Sequence, residues 1–164
     1  MKIPLILKLK KTKHKEIALA QDILIEELYN FFNDAILHGG TAIWRCYGGN
    51  RFSEDIDVYL RKELKKINSF FDTLRRKGFS IKKEKISRNS LFSVLEFKKS
   101  IIRFEALFKK VKGVLAEYQT ADGNVITVLT LTPETLVIEK INAYLKRRKI
   151  RDLYDVFYLS LIHI

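Results

Sequence analysis

Apolar side chains recur at helical spacing from about Glu16 to Phe32. Ile17, Ala20, Ile23, Leu24, Leu28, Phe31 and Phe32 fall on one side with no Gly or Pro between them, which predicts a helix. A short apolar run follows, Ala35 to Leu37, and ends at His38-Gly39-Gly40, the pattern of a buried strand entering a tight turn. Thr41 to Cys46 is expected to form a brief helix opened by that turn, and Tyr47-Gly48-Gly49-Asn50 reads as a second turn. From Asp55 to Leu60 acidic and apolar residues alternate, which predicts a strand with one acidic face.

The second half is richer in strands. Lys62 to Lys77 is predicted helical, with Leu64, Ile67, Phe70, Phe71 and Leu74 on its apolar side and Gly78 at its end. Strand-like runs follow at Phe79–Ile86, Leu91–Phe97, Ile101–Phe108 and Val114–Thr120, and Asp122-Gly123-Asn124 turns the chain into Val125–Leu131. Thr132-Pro133-Glu134 carries a cap residue followed by proline at the first helical position, so a helix is expected from there to about Arg148. Another is expected from Ile150 to Leu161. The order predicts an α+β fold, a mixed sheet flanked by helices. Residues 1–131 would form the core with its N-terminal helix, and residues 132–164 a helical pair packed on it as one compact unit.

Composition narrows this picture. The 164 residues are 47% hydrophobic, enough for a real core, and the two prolines, Pro4 and Pro133, leave little room for a linker. Lys and Arg number 31 against 19 acids, a formal charge of +12, which favours polyanionic partners, although a lysine-rich solvated surface would look the same. Basic residues cluster at Lys8–Lys15, Arg75–Lys85 and Lys146–Arg151. With a single cysteine, Cys46, an internal disulfide is excluded and a zinc cluster is not expected; Cys46 reads as a small core residue. The apolar run Ile3–Leu7 is too short for a signal-peptide core, and no stretch approaches the roughly 20 apolar residues of a membrane span, so a cytoplasmic protein without a membrane partner is expected.

The chemistry concentrates in two places. A Gly-Gly turn opening a helix, here Gly39-Gly40, lets backbone N–H groups approach phosphate oxygens without a Cβ in the way, and Thr41 adds a hydroxyl donor. Asp55 and Asp57 lie two apart on a predicted strand, so both carboxylates point to one face with Cα atoms roughly 6–7 Å apart. Such a pair can converge on hard cations, and magnesium favours few carboxylates plus substrate phosphates. Each element alone is ordinary, a plain turn or a solvated strand edge; their order and spacing make a coherent site for nucleotidyl transfer. Arg51 and Ser53, which flank the acidic strand, suit phosphate contacts or turn chemistry. His38 reads as a buried or turn histidine rather than a base.

HGGTAIWR followed by RFSEDIDVYL resembles the signature of the polymerase-β-type nucleotidyltransferases, and more closely that of the AbiEii-like toxins of type IV systems. A later stretch with Lys140, Ala143, Arg147, Arg151, Asp152 and Asp155 is similar to a second motif of that branch, and the likeness covers about residues 36 to 159. The resemblance implies a polymerase-β-type nucleotidyltransferase sheet in which Asp55 and Asp57 bind catalytic magnesium. It also implies a third carboxylate on a later strand. Glu105 is the first candidate, sharing a strand face with Arg103, and Glu96 is the alternative. A salt-bridged outward face of Arg103 and Glu105 is the competing reading. Lys140, with Arg147 or Arg151, would clamp the triphosphate, and Asp152 would orient Lys140 or the acceptor, or else pair with Arg151 or Arg148. Positions 140, 144, 147 and 151 share a narrow arc only if the helix is unbroken, and a break near Lys149 relaxes that.

The expected activity is transfer of a nucleoside monophosphate from a nucleoside triphosphate to an acceptor, with two magnesium ions held by Asp55, Asp57 and Glu105. Gly39, Gly40 and Thr41 would cradle phosphates. Charge favours RNA as acceptor; the choice of the transfer-RNA 3′ end, a toxin role and an antitoxin partner are implied by the resemblance alone. Relatives carry a larger helical C-terminal region, which makes a homodimer completing the nucleotide pocket one expectation. Two alternatives stay open: a catalytically silent nucleotide- or RNA-binding module, and nucleotidylation of a protein.

Overall fold

The computed structural model describes residues 3–162. Its elements run α1 (Leu5–Lys8), α2 (Thr12–Phe31), β1 (Ile36–His38), α3 (Gly39–Cys46), β2 (Ile56–Tyr59) and α4 (Leu64–Arg76). Five strands follow, β3 (Phe79–Ile86), β4 (Ser90–Phe97), β5 (Ser100–Leu107), β6 (Val114–Gln119) and β7 (Val125–Thr130). Helices α5 (Pro133–Arg147) and α6 (Ile150–Ile162) close the chain. All seven strands form one sheet in the order β3-β4-β5-β2-β1-β7-β6. The sheet is mixed: β2 runs parallel to β5 and β1 parallel to β7, whereas β1 and β2 are antiparallel.

The apolar alternation of β5 decides which face is core. Ser100, Ile102, Phe104 and Ala106 are buried while Ile101, Arg103, Glu105 and Leu107 are exposed, the two-residue period of a strand covered on one side. The buried face meets α2 and α4 through Ile17, Leu24, Leu28, Ile67, Phe70 and Leu74. A second apolar cluster, built from Ile36, Ile43, Tyr59, Leu131, Leu136 and Leu159, seats α5 and α6 beside α3. Cys46 packs against the main core, and burial pushes its thiol up to about 12.

Two local departures from the periodicity have clear causes. Helix α2 begins at Thr12, well before the first apolar position of its pattern, because its first turn lies over Phe52 and needs no buried aliphatic residue. Helix α1 is a single turn whose Leu5 packs with Ala18, Trp44 and Ala121, contacts from distant segments that no local pattern shows. The break expected near Lys149 is present: Arg148 caps α5 in the left-handed conformation at φ 52°, and α6 starts at Ile150. Among the described residues no helix is long and apolar enough to cross a membrane.

Candidate active site

Strands β2 and β5 lie side by side in parallel register, with Asp57 opposite Glu105 and Ile56 opposite Phe104. The alternation that buries Phe104 therefore turns Asp57 and Glu105 to the same, uncovered face. Asp55 precedes β2, and its carboxylate accepts two hydrogen bonds from Arg103, Nε at 3.1 Å and Nη2 at 2.9 Å. Arg103 and Glu105 do share a face, but Arg103 spends its guanidinium on Asp55 and not on Glu105. Glu96 is out of reach of this group: it lies opposite Ile101 at the far end of β4 and pairs with Lys82 at 3.5 Å.

The Gly-Gly turn is pressed against these carboxylates. Gly39 has φ +73°, and a Cβ there would come within 2.8 Å of Asp57 Oδ2. A Cβ on Gly40 would meet Arg51 Nη2 at 2.6 Å and Ser53 Oγ at 2.8 Å. Gly39 disfavours a side chain by both conformation and contact, and one at Gly40 would have to displace Arg51 and Ser53. Thr41 does not face the cavity as the sequence suggested. It is buried, and its hydroxyl donates to Ser53 Oγ at 3.0 Å and to the Asp55 carbonyl, which ties the turn to the acidic strand. Arg45 anchors the same helix from behind. It is buried, donates to the carbonyls of Ala18 and Gln119 and to Gln21 Oε1, and pairs with Asp22 at 3.1 Å. His38 stacks on Tyr59, ring centroids 4.1 Å apart, and bonds Glu139 through Nδ1 at 3.2 Å, the half-buried turn histidine expected.

Helices α5 and α6 supply a web of paired charges. Lys140 is buried and its Nζ lies 2.9 Å from Asp155 Oδ2 and 3.5 Å from Asp152 Oδ1. Arg147 grips Asp152 with two bonds of 2.6 Å, and Arg51 reaches across from the loop after α3 to grip Asp155 at 3.0 and 2.7 Å. The sequence leaves Asp152 to orient Lys140 or the acceptor, or to pair with Arg151 or Arg148, and places it beside the nucleotide. Asp152 is fully buried beneath Arg147 and Lys140, so it orients those cations and has no surface for a ligand. Lys140 is likewise no member of a solvated face.

A cavity of about 380 Å³ joins the two groups. Gly40, Arg51, Ser53, Asp55, Asp57, Glu105, Lys140, Arg147 and Arg151 border it, together with His14, Phe52, Glu54 and Arg103. Burial pushes the Asp57 carboxyl up, and Asp55 adds to the shift while His38, Lys140 and Arg147 oppose it. Glu105 is raised too, by burial and then by Asp57 and Asp55. Burial and neighbouring acids make Asp57 and Glu105 costly to ionise, a cost a dication would relieve, so the donor set these two form with Asp55 fits magnesium. Among the described residues no three acidic, histidine or cysteine side chains are gathered into a ready cage. Arg103 holds Asp55, and a magnesium site of this kind takes its remaining oxygens from substrate phosphates.

The sequence model of the family described as nucleotidyl transferase AbiEii toxin, type IV toxin–antitoxin system, matches residues 22–163. The chain belongs to this family. It is a nucleotidyltransferase, an enzyme of the toxin class in such systems. Comparison with curated proteins gives no match. Among solved structures, JHP933 from Helicobacter pylori superposes with a TM-score of 0.65 at 20% identity, covering 90% of this chain and 68% of that one. A second H. pylori protein, assigned as a nucleotidyltransferase, gives 0.64 at 22% identity over 90% of this chain and 70% of its own. The antibiotic-resistance factor ANT(2″)-Ia gives 0.55 at 13% identity over 86% and 83%. These likenesses establish the nucleotidyltransferase fold.

Four residues of the cavity, His14, Phe52, Glu54 and Arg103, were not singled out from sequence as site members. Arg103 carried a usable signal, its even spacing from Glu105 on one strand. His14 and Phe52 carried none, because they are distant in sequence and meet only when α2 crosses the loop before β2.

Proposed function

We propose that this protein transfers a nucleoside monophosphate from a magnesium–nucleoside triphosphate complex to an RNA hydroxyl. The observation that carries the reading is the parallel pairing of Asp57 with Glu105 beside the Gly39 turn, on a face the core leaves open. Asp55, Asp57 and Glu105 would hold the magnesium ions, which supply charge neutralisation on the triphosphate and acidify the attacking hydroxyl. Arg103 gives up Asp55 as the site loads. Gly40 borders the cavity near the start of α3, where N–H groups favour anions, and Arg51 and Ser53 pack against it there as polar partners for a phosphate. Arg151, which borders the cavity without a role in the Asp152–Asp155 web, meets the triphosphate first. Lys140, fixed by Asp152 and Asp155, contributes positive charge near Asp57 where the leaving pyrophosphate develops charge.

An RNA acceptor is supported by the charge of +12 and by basic residues at the cavity itself, Arg147 and Arg151. The segment Arg75–Lys85 borders none of the cavity and is left out of the acceptor path. The transfer-RNA 3′ end is the acceptor we favour within that class, and an antitoxin is the protein partner that type IV membership implies. Incubation with each labelled nucleoside triphosphate, magnesium and total RNA tests the reading. Label on an RNA species, dependent on magnesium and on Asp57, supports it; label on protein alone overturns the acceptor.

A further inference from the structure

The loop that carries Ser53 also carries Phe52, which is half-buried and packs its inner side against the core clusters while bordering the cavity. Its ring lies parallel to His14, centroids 3.9 Å apart and planes 7° from coplanar. Behind it Trp44 meets Phe52 edge-on at 5.0 Å, and Trp44 is buried. The three rings form a buttressed stack whose outer member, His14, is half-buried and borders the same cavity as Asp55, Asp57 and Glu105.

Its surroundings differ from those of the phosphate clamp. The charges that bear on His14 are Lys11, Lys13 and Glu54, whereas those that bear on Asp57 include Lys140 and Arg147. Lys13 also borders an adjoining hollow of about 260 Å³ with Glu54, Asp55, Val94, Ile101 and Arg103. Lys11 and Lys13, at the start of α2, thus sit beside a flat aromatic surface at the edge of the acidic site, in a stretch of sequence that also holds Lys8, Lys10 and Lys15. Burial and the two lysines hold His14 below its ordinary pKa, so the ring is neutral at pH 7 and stacks without a charge of its own.

We infer that the His14–Phe52 stack is the docking surface for the terminal base of the acceptor nucleic acid, with the lysines of early α2 tracking its phosphates. A base on an aromatic platform beside a cationic path is the general recognition mode for single-stranded ends, tolerant of sequence because every base has a flat face. The inference rests on the RNA-acceptor reading, and it assigns the α5–α6 cations to the triphosphate and the α2 cations to the acceptor.

The test uses the full chain and two readouts. The first is binding of a short single-stranded RNA oligonucleotide without nucleoside triphosphate, followed by fluorescence of Trp44, the one tryptophan of the chain. The second is the pair of KM values, for RNA and for the triphosphate. His14→Ala should weaken oligonucleotide binding and raise the RNA KM about tenfold, the loss expected for one stacked base. The triphosphate KM should stay within about twofold, and His14→Phe should restore binding. A rise confined to the triphosphate KM would move the stack to the incoming nucleotide and overturn the assignment. Oligonucleotide binding unaffected by His14→Ala would overturn it as well. If the wild-type enzyme labels only protein, the acceptor reading fails at the activity assay, while the binding arm still judges the stack separately.

Discussion

Two charged regions face each other across the cavity, and they are built on opposite principles. In the α5–α6 web every acid is paired: Lys140, Arg147 and Arg51 meet Asp152 and Asp155 at 2.6–3.5 Å, and the acids are buried. Burial by itself would raise the Asp152 carboxyl, but Arg147 and Lys140 more than offset it and hold it below its ordinary value. The sheet side is unbalanced. Asp57 and Glu105 are both held above their ordinary values, first by burial and then by neighbouring acids. Such repulsion does not serve stability; under the proposed function the sheet side would receive positive charge, and the web would be the frame that holds Lys140 towards it.

The sharpest way to break that contrast is Asp57→Asn. Transfer should fall about a thousandfold or more, the loss of several kcal/mol of charge stabilisation at about 1.4 kcal/mol per factor of ten. Tm measured without magnesium should hold or rise, because a repelled carboxylate has been removed. Full activity at saturating magnesium would place the catalytic centre elsewhere.

Asp152→Asn should behave in the opposite sense, as a loss of stability of about 3 kcal/mol, since breaking a buried pair strands its cations. The sign with pH follows from the depressed Asp152 carboxyl. Its stabilisation is present above the ordinary carboxylate range and is lost as pH falls through the lower folded value. Denaturation of wild type and variant should therefore converge in acid and diverge towards neutrality. A constant gap across that range would show that the carboxylate's charge is not what stabilises.

Lys140→Ala draws on both regions. A solvated lysine would have altered triphosphate use alone, but a buried one that bridges two acids should lose stability as well as about a hundredfold in kcat/KM, the scale for one preorganised donor. Unfolding by denaturant alongside steady-state kinetics separates the two losses, and an unchanged kcat/KM would leave Lys140 a purely structural member of the web.

The smallest effect is expected at Arg103, which forms an ion pair with Asp55 on the sheet side. Arg103 and Asp55 are partly exposed, so their pairing is screened and worth at most about 1 kcal/mol. Arg103→Ala should lower the magnesium concentration for half-maximal activity about two- to fivefold. A higher requirement would make Arg103 a helper of the loaded site instead of a competitor for Asp55.

Much of this arrangement was legible from residue order. Alternation placed β2 and β5, the Gly-Gly turn and the Asp-x-Asp spacing marked the site, and the likeness to AbiEii proteins, matched over residues 22–163, supplied Glu105 and the Lys140–Asp155 stretch. The role of Thr41 was not legible, and for Asp152 the sequence left open whether it orients Lys140, orients the acceptor or pairs with a neighbouring arginine. A hydroxyl after a glycine turn has the same local sequence whether it donates to a phosphate or, as here, to the Asp55 carbonyl and Ser53. An acid in a helix's first turn looks the same whether it is solvated or buried under Arg147.

By itself the sequence determined which faces of which strands would be polar, because a period of two leaves a strand no choice once its apolar side is buried. It also marked the glycine turn that opens α3. Tertiary structure alone decided which polar groups meet. It paired Arg103 with Asp55, Arg51 with Asp155 and His14 with Phe52, contacts between segments up to 104 positions apart. The physical reason is range: backbone sterics and hydrophobic periodicity act within a few residues, while ion pairing and ring stacking depend on distances that exist only after the sheet and its helices have packed.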